Sequence, residues 1–307
     1  SCGSGARLYT GNLDNGSYRV TINPVTRTYI STGSVWRGSG DNRILLGQRK
    51  IKMIFGQSYL FGYGAFAQGS LEISNNSHID SYNSNNGPYG SQAPRTNGNV
   101  GTNGSSVNIV DIGNNSVIRG AVSTGPGGTI DYNANKVTIT GGVTHTNDIY
   151  IDSVSIPTDL QTATYQVTPT VSNGAINLTA GSYRFNNIAI GNNQTLNVSG
   201  EVKIYLMSTT NALTTGNNTV AFNINDGGSL TIYSDGIINF GNKVTMTNSN
   251  SNPRPSDFVI FSRYSGSNGV VIDNNNIFQG AIYAPLTDVE ISNNAEFFGA
   301  VVGKTVT

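Results

Sequence analysis

The stretch that decides the fold is Val271-Ile-Asp-Asn-Asn-Asn-Ile-Phe-Gln-Gly-Ala-Ile282, followed by a close copy, Ile291-Ser-Asn-Asn-Ala-Glu-Phe-Phe-Gly-Ala-Val301. Each copy carries an isoleucine, an Asn-Asn pair and a Gly-Ala step in the same order, and the isoleucines at 272 and 291 are 19 residues apart. A motif that returns after about twenty residues is typical of one coil of a stacked β-solenoid. The sequence therefore predicts short parallel strands wound around a shared core.

The Asn-Asn pair is predicted to turn the chain between two strands. Asn adopts the left-handed conformation more readily than other residues with a Cβ, and stacked Asn side chains form amide ladders. The Gly-Ala step suits a second bend or a close backbone approach. Upstream copies of the motif lie at 112–122, 73–76 and 190–193. The predicted structural corners are Asn75, Asn76, Asn114, Asn115, Asn192, Asn193, Asn274, Asn275, Asn293 and Asn294.

The composition favours an ordered β protein and argues against a nucleic-acid partner. Charged residues make up 11% of the chain, against about 25% in an ordinary globular domain. Hydrophobic residues make up 36% and alternate with polar ones, which indicates strands rather than disorder. The net charge is zero, and no basic stripe is present to bind nucleic acid.

We predict an all-β fold: a right-handed parallel β-helix with a small N-terminal antiparallel β segment. Residues 1–55 form the antiparallel segment, in which Asn15-Gly16 is a strong hairpin signal. Residues 56–307 form the β-helix. The motif lapses near 82–106, where Asn, Gly and Pro are frequent, and a loop that projects from the stack is expected there.

Both ends of the chain resemble a known group of proteins. Residues 278–285 and 289–306 resemble the C-terminal repeats of bacterial pilus-assembly proteins of the PilX type. Residues 11–22 and 29–33 are similar to the segment that follows the hydrophobic helix of those proteins. The resemblance implies a β-helical surface domain associated with type IV pili. A looser resemblance, without a shared motif, is to the tapirins, and it implies binding to cellulose.

The acidic residues give no sign of a catalytic pair. The chain has 17 of them, none in a close Asp-x-Asp pair on a strand, and Asp148 and Asp152 come nearest. We therefore expect no enzyme activity and assign no catalytic residue. A polysaccharide lyase or hydrolase is the alternative, which requires carboxylates from neighbouring coils in one groove.

No metal or cofactor is expected. The two histidines, His78 and His145, have no metal-ligand spacing with another His, Cys or carboxylate. Residues 225–228 and 234–236 could offer oxygens to calcium, but they lack the known calcium-binding repeats and suit turns better. Calcium remains the alternative at these two turns.

The aromatic residues carry the prediction of a binding surface. The chain has 15 Tyr and one Trp, and tyrosine pairs a flat apolar face with a hydrogen-bonding tip, as carbohydrate recognition requires. Tyr82 and Tyr89 flank a Gly-Pro step in the predicted loop, and they either bind polysaccharide or pack the loop. Tyr59, Phe61 and Tyr63 alternate just before it. This trio forms either an outward strip that binds sugar or, as we prefer, an inward stack.

Together these features predict an extracellular or cell-surface, pilus-associated module that is structural or adhesive and contacts an insoluble, cellulose-like polysaccharide. The alternative is a filament-forming subunit without sugar binding, whose partners are other copies of itself. It would stack through a final coil, 298–307, that shows no polar cap. Pilus machinery is a further expected partner. We expect that residues 1–6 once followed a leader or anchoring helix, and Cys2 is either inert or a lipid-bearing residue.

Overall fold

The computed structural model describes residues 7–13, 16–23, 28–38, 42–54, 61–166, 169, 171, 173–292 and 294–307. The chain divides into two compact units, Ser1–Tyr59 and Leu60–Thr307. This division lies close to the predicted boundary at residue 55. The predicted fold class is confirmed, because the first unit is an antiparallel sheet and the second is built from parallel strands.

The first unit is a four-stranded meander. Its strands are β1 (Arg7–Leu13), β2 (Gly16–Asn23), β3 (Thr28–Arg37) and β4 (Ile44–Ile54), paired in chain order. Trp36 Nε1 donates to Ser17 Oγ at 3.3 Å, which joins β3 to β2 through side chains. The register between β3 and β4 shifts after Val35, so that a bulge lies beside Gly47. Asn15, in the predicted hairpin turn, lies outside the described residues.

The second unit opens with three coils and the start of a fourth, which we call the first stack. Its strands are β5 (Ala65–Ala67), β6 (Leu71–Ile73), β7 (His78–Ile79), β8 (Val100–Thr102), β9 (Val110–Ile112), β10 (Val117–Ile118), β11 (Val122–Ser123), β12 (Ile130–Tyr132), β13 (Thr138–Ile139) and β14 (Val143–Thr144). Each of the first three coils contributes one strand to each of three parallel sheets. The faces are β5-β8-β11-β14, β6-β9-β12 and β7-β10-β13.

A return segment, residues 145–174, contains the short helix α1 (Thr158–Thr162) and leads to the second stack. The strands of the second stack are β15 (Ala175–Phe185), β16 (Ile188–Ile190), β17 (Thr195–Leu206), β18 (Asn211–Thr215), β19 (Val220–Ile224), β20 (Ser229–Ser234), β21 (Ile237–Phe240), β22 (Val244–Asn248), β23 (Phe258–Ser262), β24 (Val270–Ile272), β25 (Ile277–Ala284), β26 (Val289–Ile291) and β27 (Glu296–Gly303). All pairings within this stack are parallel.

The two stacks join so that the order of coils in space differs from their order in the chain. Strand β27, at the end of the second stack, pairs in parallel with β5, at the start of the first stack. In this pairing Val301 lies opposite Ala65 and Val302 opposite Phe66. The expectation that residues 298–307 form an open end is therefore wrong, because the first coil covers them.

The interior is packed with apolar side chains from both stacks. Phenylalanines from successive coils stack along it: ring centroids are 6.0 Å apart between Phe222 and Phe258, 5.4 Å between Phe258 and Phe278, and 5.0 Å between Phe278 and Phe297. Phe278 and Phe297 occupy the same place in successive coils, each shortly after an Asn corner. Burial of these rings, together with the many Ile, Leu and Val side chains around them, stabilises the β-helix.

The predicted asparagine corners take the expected conformation. The second Asn of each described pair has a left-handed backbone, with φ of 61° at Asn76, 62° at Asn115, 59° at Asn193, 59° at Asn275 and 59° at Asn294. Corners of neighbouring coils also bond to one another, since Asn75 Oδ1 accepts from Asn114 N at 2.7 Å and Asn115 Nδ2 donates to Asn76 Oδ1 at 3.2 Å. Asn293 lies outside the described residues.

The return segment covers a row of aromatic side chains, Phe66, Phe261 and Tyr283, on the outer face of the large sheet. Tyr283 is 2% exposed, and its hydroxyl donates to the backbone oxygen of Asp152 at 2.6 Å. Asn103 holds the segment a second time, through hydrogen bonds to both backbone groups of Ile149 at 2.7 and 2.9 Å. Near its other end Leu160 is fully buried. The β-helix therefore has a second, smaller hydrophobic layer outside its main core.

Candidate functional site

The loop that projects from the first stack occupies residues 80–99 rather than the predicted 82–106. Val100 is fully buried and begins β8, so the predicted loop overlaps a strand of the β-helix at residues 100–102. The loop closes at Gly98, which stands so close to the backbone of Asp80 that an added Cβ would lie 2.7 Å from the Asp80 Cα. A glycine is therefore required where the loop closes.

The loop brings together the two tyrosines that were predicted to bind polysaccharide. The ring centroids of Tyr82 and Tyr89 are 5.7 Å apart in an edge-to-face arrangement. Tyr89 also lies 5.2 Å from Phe298 of the final coil, so the two tyrosines and Phe298 form one aromatic cluster. Tyr89 keeps 43% of its surface exposed, whereas Tyr82 is half-buried. Tyr89 is thus the member that offers a face to a ligand.

Hydrogen bonds fix the shape of this loop. The Gln92 side chain accepts from Asn83 N at 3.1 Å and donates to the backbone oxygens of Asn83 and Gly87, each at 3.1 Å. The Tyr89 hydroxyl donates to Asp80 Oδ2 at 2.8 Å. This hydrogen bond, together with burial and the charge of Asp80, raises the pKa of Tyr89. The aromatic cluster is therefore held in place before any ligand arrives.

The aromatic residues before the loop do not form an outward strip at Phe61 and Tyr63, the two that the structure describes. Phe61 packs edge to face on Tyr283, with centroids 6.3 Å apart, and Tyr63 packs on Phe66 at 5.0 Å. The Tyr63 hydroxyl donates to Asn147 Oδ1 at 3.2 Å. Phe61 and Tyr63 thus belong to the small hydrophobic layer under the return segment. Tyr59 lies outside the described residues.

A groove of about 660 Å³ lies on the outer face of β6, β9 and β12. Three exposed carboxylates, Glu72, Asp111 and Asp131, line it together with Tyr132. The carboxylates stand at equivalent positions of three successive coils, because Asp111 pairs with Glu72 on one side and with Asp131 on the other. We call this feature the acidic groove.

Amide groups from the corners complete the acidic groove. Four asparagines line it beside the carboxylates: Asn75 and Asn76 from the first coil, Asn114 from the second and Asn133 from the third. Each of the three coils therefore supplies one acid and at least one amide. Neighbouring strands are about 4.8 Å apart, and like charges at that separation repel each other. Packing alone does not call for such a row, which marks the groove as a candidate for ligand contact.

Sequence reasoning missed the acidic groove, although the signal was present. In each copy an acidic residue stands three positions before the first corner residue: Glu72 before Asn75, Asp111 before Asn114, and Asp131 before Ala134. An alignment of the repeats by their corners places these acids in one column. No two of these acids are close in sequence, because the β-helix brings them together across neighbouring strands.

The other candidate groups have ordinary structural partners. His145 Nδ1 lies 2.8 Å from Thr124 Oγ1. In the turn at 234–236, Asp235 accepts from the Tyr205 hydroxyl at 2.6 Å and pairs with Arg263 Nε at 2.9 Å. Among the described residues no group of three His, Cys, Asp or Glu side chains is placed to hold a metal ion. The described part of the chain also contains no helix with the length and apolarity needed to span a bilayer.

Comparison with known proteins finds one family. The model of a family described as a domain of unknown function, DUF7305, matches residues 144–307, which is more than half of the chain. The matched region comprises the return segment and the second stack, and it excludes the acidic groove. No curated protein and no solved structure matches the chain.

Proposed function

We propose that this chain, which belongs to the DUF7305 family, is an extracellular, pilus-associated structural and adhesive β-solenoid that contacts an insoluble, cellulose-like polysaccharide. The observation that carries the proposal is the acidic groove, where three coils present carboxylates in register with amide groups beside them. The pilus association and the location outside the cell rest on the resemblance of the two end segments to PilX-type proteins.

A regular polymer suits the acidic groove better than a compact ligand does. Carboxylate and amide oxygens accept hydrogen bonds from hydroxyl groups, and the β-helix repeats them at about 4.8 Å per coil. Tyr132, which is 37% exposed, adds an apolar face on which a sugar ring can stack. A polyhydroxylated chain lying along the stack would meet a carboxylate at each step.

The aromatic cluster in the loop supplies a second contact. Tyr89 presents an exposed ring whose hydroxyl is already bound to Asp80, so it would contact a sugar through its face. Tyr82 packs on that ring edge to face, and Phe298 packs on it at a tilt of 45°. In this proposal Tyr89 contacts the sugar, and Tyr82 holds the Tyr89 ring in position.

Retention on insoluble glycans tests the proposal. The protein is incubated with cellulose, chitin and other insoluble polysaccharides, and the bound fraction is measured across protein concentrations. We expect Tyr132→Ala to weaken retention roughly fivefold, which corresponds to an aromatic contact of about 1 kcal/mol. The double variant Tyr82→Ala with Tyr89→Ala tests the loop in the same way.

Tyr150→Ala is the matched control, because Tyr150 is 78% exposed and lies outside the acidic groove and the loop. It should bind like the wild type. Absence of retention on every glycan would reject polysaccharide contact and favour a purely structural subunit. Retention that survives both the Tyr132 and the loop variants would move the contact to another surface.

Polysaccharide cleavage is a second candidate function, and one observation favours it. Carboxylates from adjacent coils line one groove, as such an enzyme requires. Glu72 and Asp131 are two strand spacings apart, or about 10 Å at the backbone, and an inverting glycosidase holds its two carboxyl groups about 6.5 to 9.5 Å apart. Release of reducing ends or unsaturated products from soluble oligosaccharides, abolished in Glu72→Gln and in Asp131→Asn, would support cleavage. No release would reject it.

A further inference from the structure

One end of the β-helix presents unpaired strand edges. The outermost coil of the first stack, residues 129–144, carries β12, β13 and β14, each of which is the last strand of its sheet. Within the unit Leu60–Thr307 no described strand pairs with their outer edges. Val143 at this end is 37% exposed, and Ile130 and Ile139 are half-buried. We call this surface the open end.

The opposite end of the β-helix is closed by the chain itself. Tyr165 forms a parallel bridge with Arg184 of β15, and Gln166 N donates to the Arg184 backbone oxygen at 2.9 Å. Val171 then packs against the main core. Ile188 and Ile190 of β16 are each 1% exposed. The core at this end is therefore covered, although no described strand pairs with the outer edge of β16.

Within the chain, the end of one coil is already covered by another coil. The final coil of the second stack is covered by the first coil of the first stack, although the two are far apart in sequence. Val301 N donates to Gly64 O at 2.9 Å, and Leu71 and Val289 each form a parallel bridge with Val306. A coil end in this protein is thus completed by another coil that matches it on more than one face.

We propose that the open end binds the open end of a second copy, so that two β-helices join head to head. Three strand edges arranged around one core are matched on all sides by another three-sided coil, whereas the covered opposite end offers no exposed core for a head-to-tail contact. A two-fold interface of this kind pairs the edges antiparallel and closes on itself, giving a dimer rather than a filament.

The charges at the open end fit this pairing. Residues 129–144 carry one acidic side chain, Asp131, and one basic side chain, Lys136, so each face is neutral overall and two copies do not repel. Isolated strand edges are often protected by charged side chains or proline. The outermost coil contains no proline. Pairing would satisfy the free backbone groups and cover Val143.

Mass measurement tests the proposal directly. In sedimentation velocity the wild-type chain is expected to approach twice its 32.4 kDa mass as the concentration rises. In Val143→Glu with Thr138→Glu, and equally in Val143→Lys with Thr138→Lys, like charges meet across the two-fold axis, so each variant should stay monomeric. An equimolar mixture of the two variants should recover the dimer, because opposite charges then meet.

Ile277→Glu is the matched control, because Ile277 is similarly exposed, at 40%, but lies on the side of the β-helix. It should dimerise like the wild type. Circular dichroism establishes that each variant is folded. A wild type that stays monomeric, a continuous ladder of masses, or a dimer that survives both charged variants would each overturn the proposal.

Hydrogen exchange tests the proposed interface on the wild-type protein alone. Amide protons of the outermost coil, 129–144, should exchange more slowly as the wild-type concentration rises, while those of interior coils should not change. Exchange at 129–144 that is independent of concentration would overturn the proposal even if a dimer forms, because another surface would then mediate it.

Discussion

Val301, in the final coil, lies in parallel register beside Ala65, in the first coil of the β-helix. The chain therefore enters the β-helix at an interior coil, builds one stack outward, returns along the outside, and builds the second stack back to the starting point. The family match begins at residue 144, where the return segment starts. The first stack, outside the match, completes the core of the matched region.

The junction between the stacks should be important for stability. Val306 is 4% exposed and bridges Leu71 and Val289, so Val306→Ala should lower the free energy of unfolding by about 2 kcal/mol. Urea denaturation measures the change. The exposed neighbour Thr307 provides the control, since Thr307→Ala should have little effect. Equal, small effects of both would mean that the first coil does not cover the final one.

The asparagine corners should prefer glycine to alanine. Asn115 has φ of 62°, a conformation that costs an L-residue about 1 kcal/mol or more. Asn115→Ala also removes the amide that donates to Asn76 Oδ1, and we expect a loss of roughly 1 to 2 kcal/mol. Asn115→Gly should lose less, because glycine adopts this conformation without strain. Thermal unfolding of both variants tests the order, and a reversed order would contradict the role of the corner.

The return segment should contribute to the stability of the β-helix through its packing. Leu160 is fully buried in α1, which packs on β15 and β17. Leu160→Ala should therefore cost about 2 to 5 kcal/mol. Thr158→Ala, on the exposed side of the same helix, should be nearly neutral. Similar unfolding midpoints for the two variants would show that α1 contributes little.

Tyr283 should make the protein less stable at high pH. Burial raises the pKa of Tyr283 to about 12, whereas tyrosine in an unfolded chain titrates near pH 10. The folded state holds the proton more tightly, so this contribution is complete below about pH 10 and is lost as the pH rises towards about 12. The urea midpoint should fall across that range.

Tyr283→Phe should reduce this alkaline fall, since phenylalanine has no proton to lose. At neutral pH the variant should be slightly less stable, by about 1 kcal/mol, because the hydrogen bond to the Asp152 oxygen is removed. Part of the fall should remain, since burial also raises the pKa of Tyr205 and Tyr233. Identical falls in the variant and the wild type would exclude Tyr283 as a source.

The local geometry of the fold was predictable from the sequence, but its stacking order was not. The Asn pairs indicate corners because a left-handed turn strongly favours Asn or Gly, and Asn76 and Asn115 follow that rule. The pairing of one coil with another requires no particular residue type, so the sequence does not indicate which coils are neighbours. Val306 reads as an ordinary strand residue whether its neighbour is the previous coil or Leu71.

The candidate site was predictable only in part, for a similar reason. Tyr82 and Tyr89 are close in sequence, so their meeting in one loop followed from local reasoning. Glu72, Asp111 and Asp131 come together because residues 39 and 20 positions apart occupy equivalent places in successive coils. The loop insertion at 80–99 makes the first interval longer than the second, and this hides the repeat.

The meeting of Gly64 and Val301 has a mechanical consequence. Tension applied between residues 61 and 307 would not travel along the length of the β-helix, because both points belong to coils that touch. The load would fall on the hydrogen bonds between β5 and β27, which would peel apart one after another. The remaining coils would stay wound, so this protein should yield under force at one internal seam.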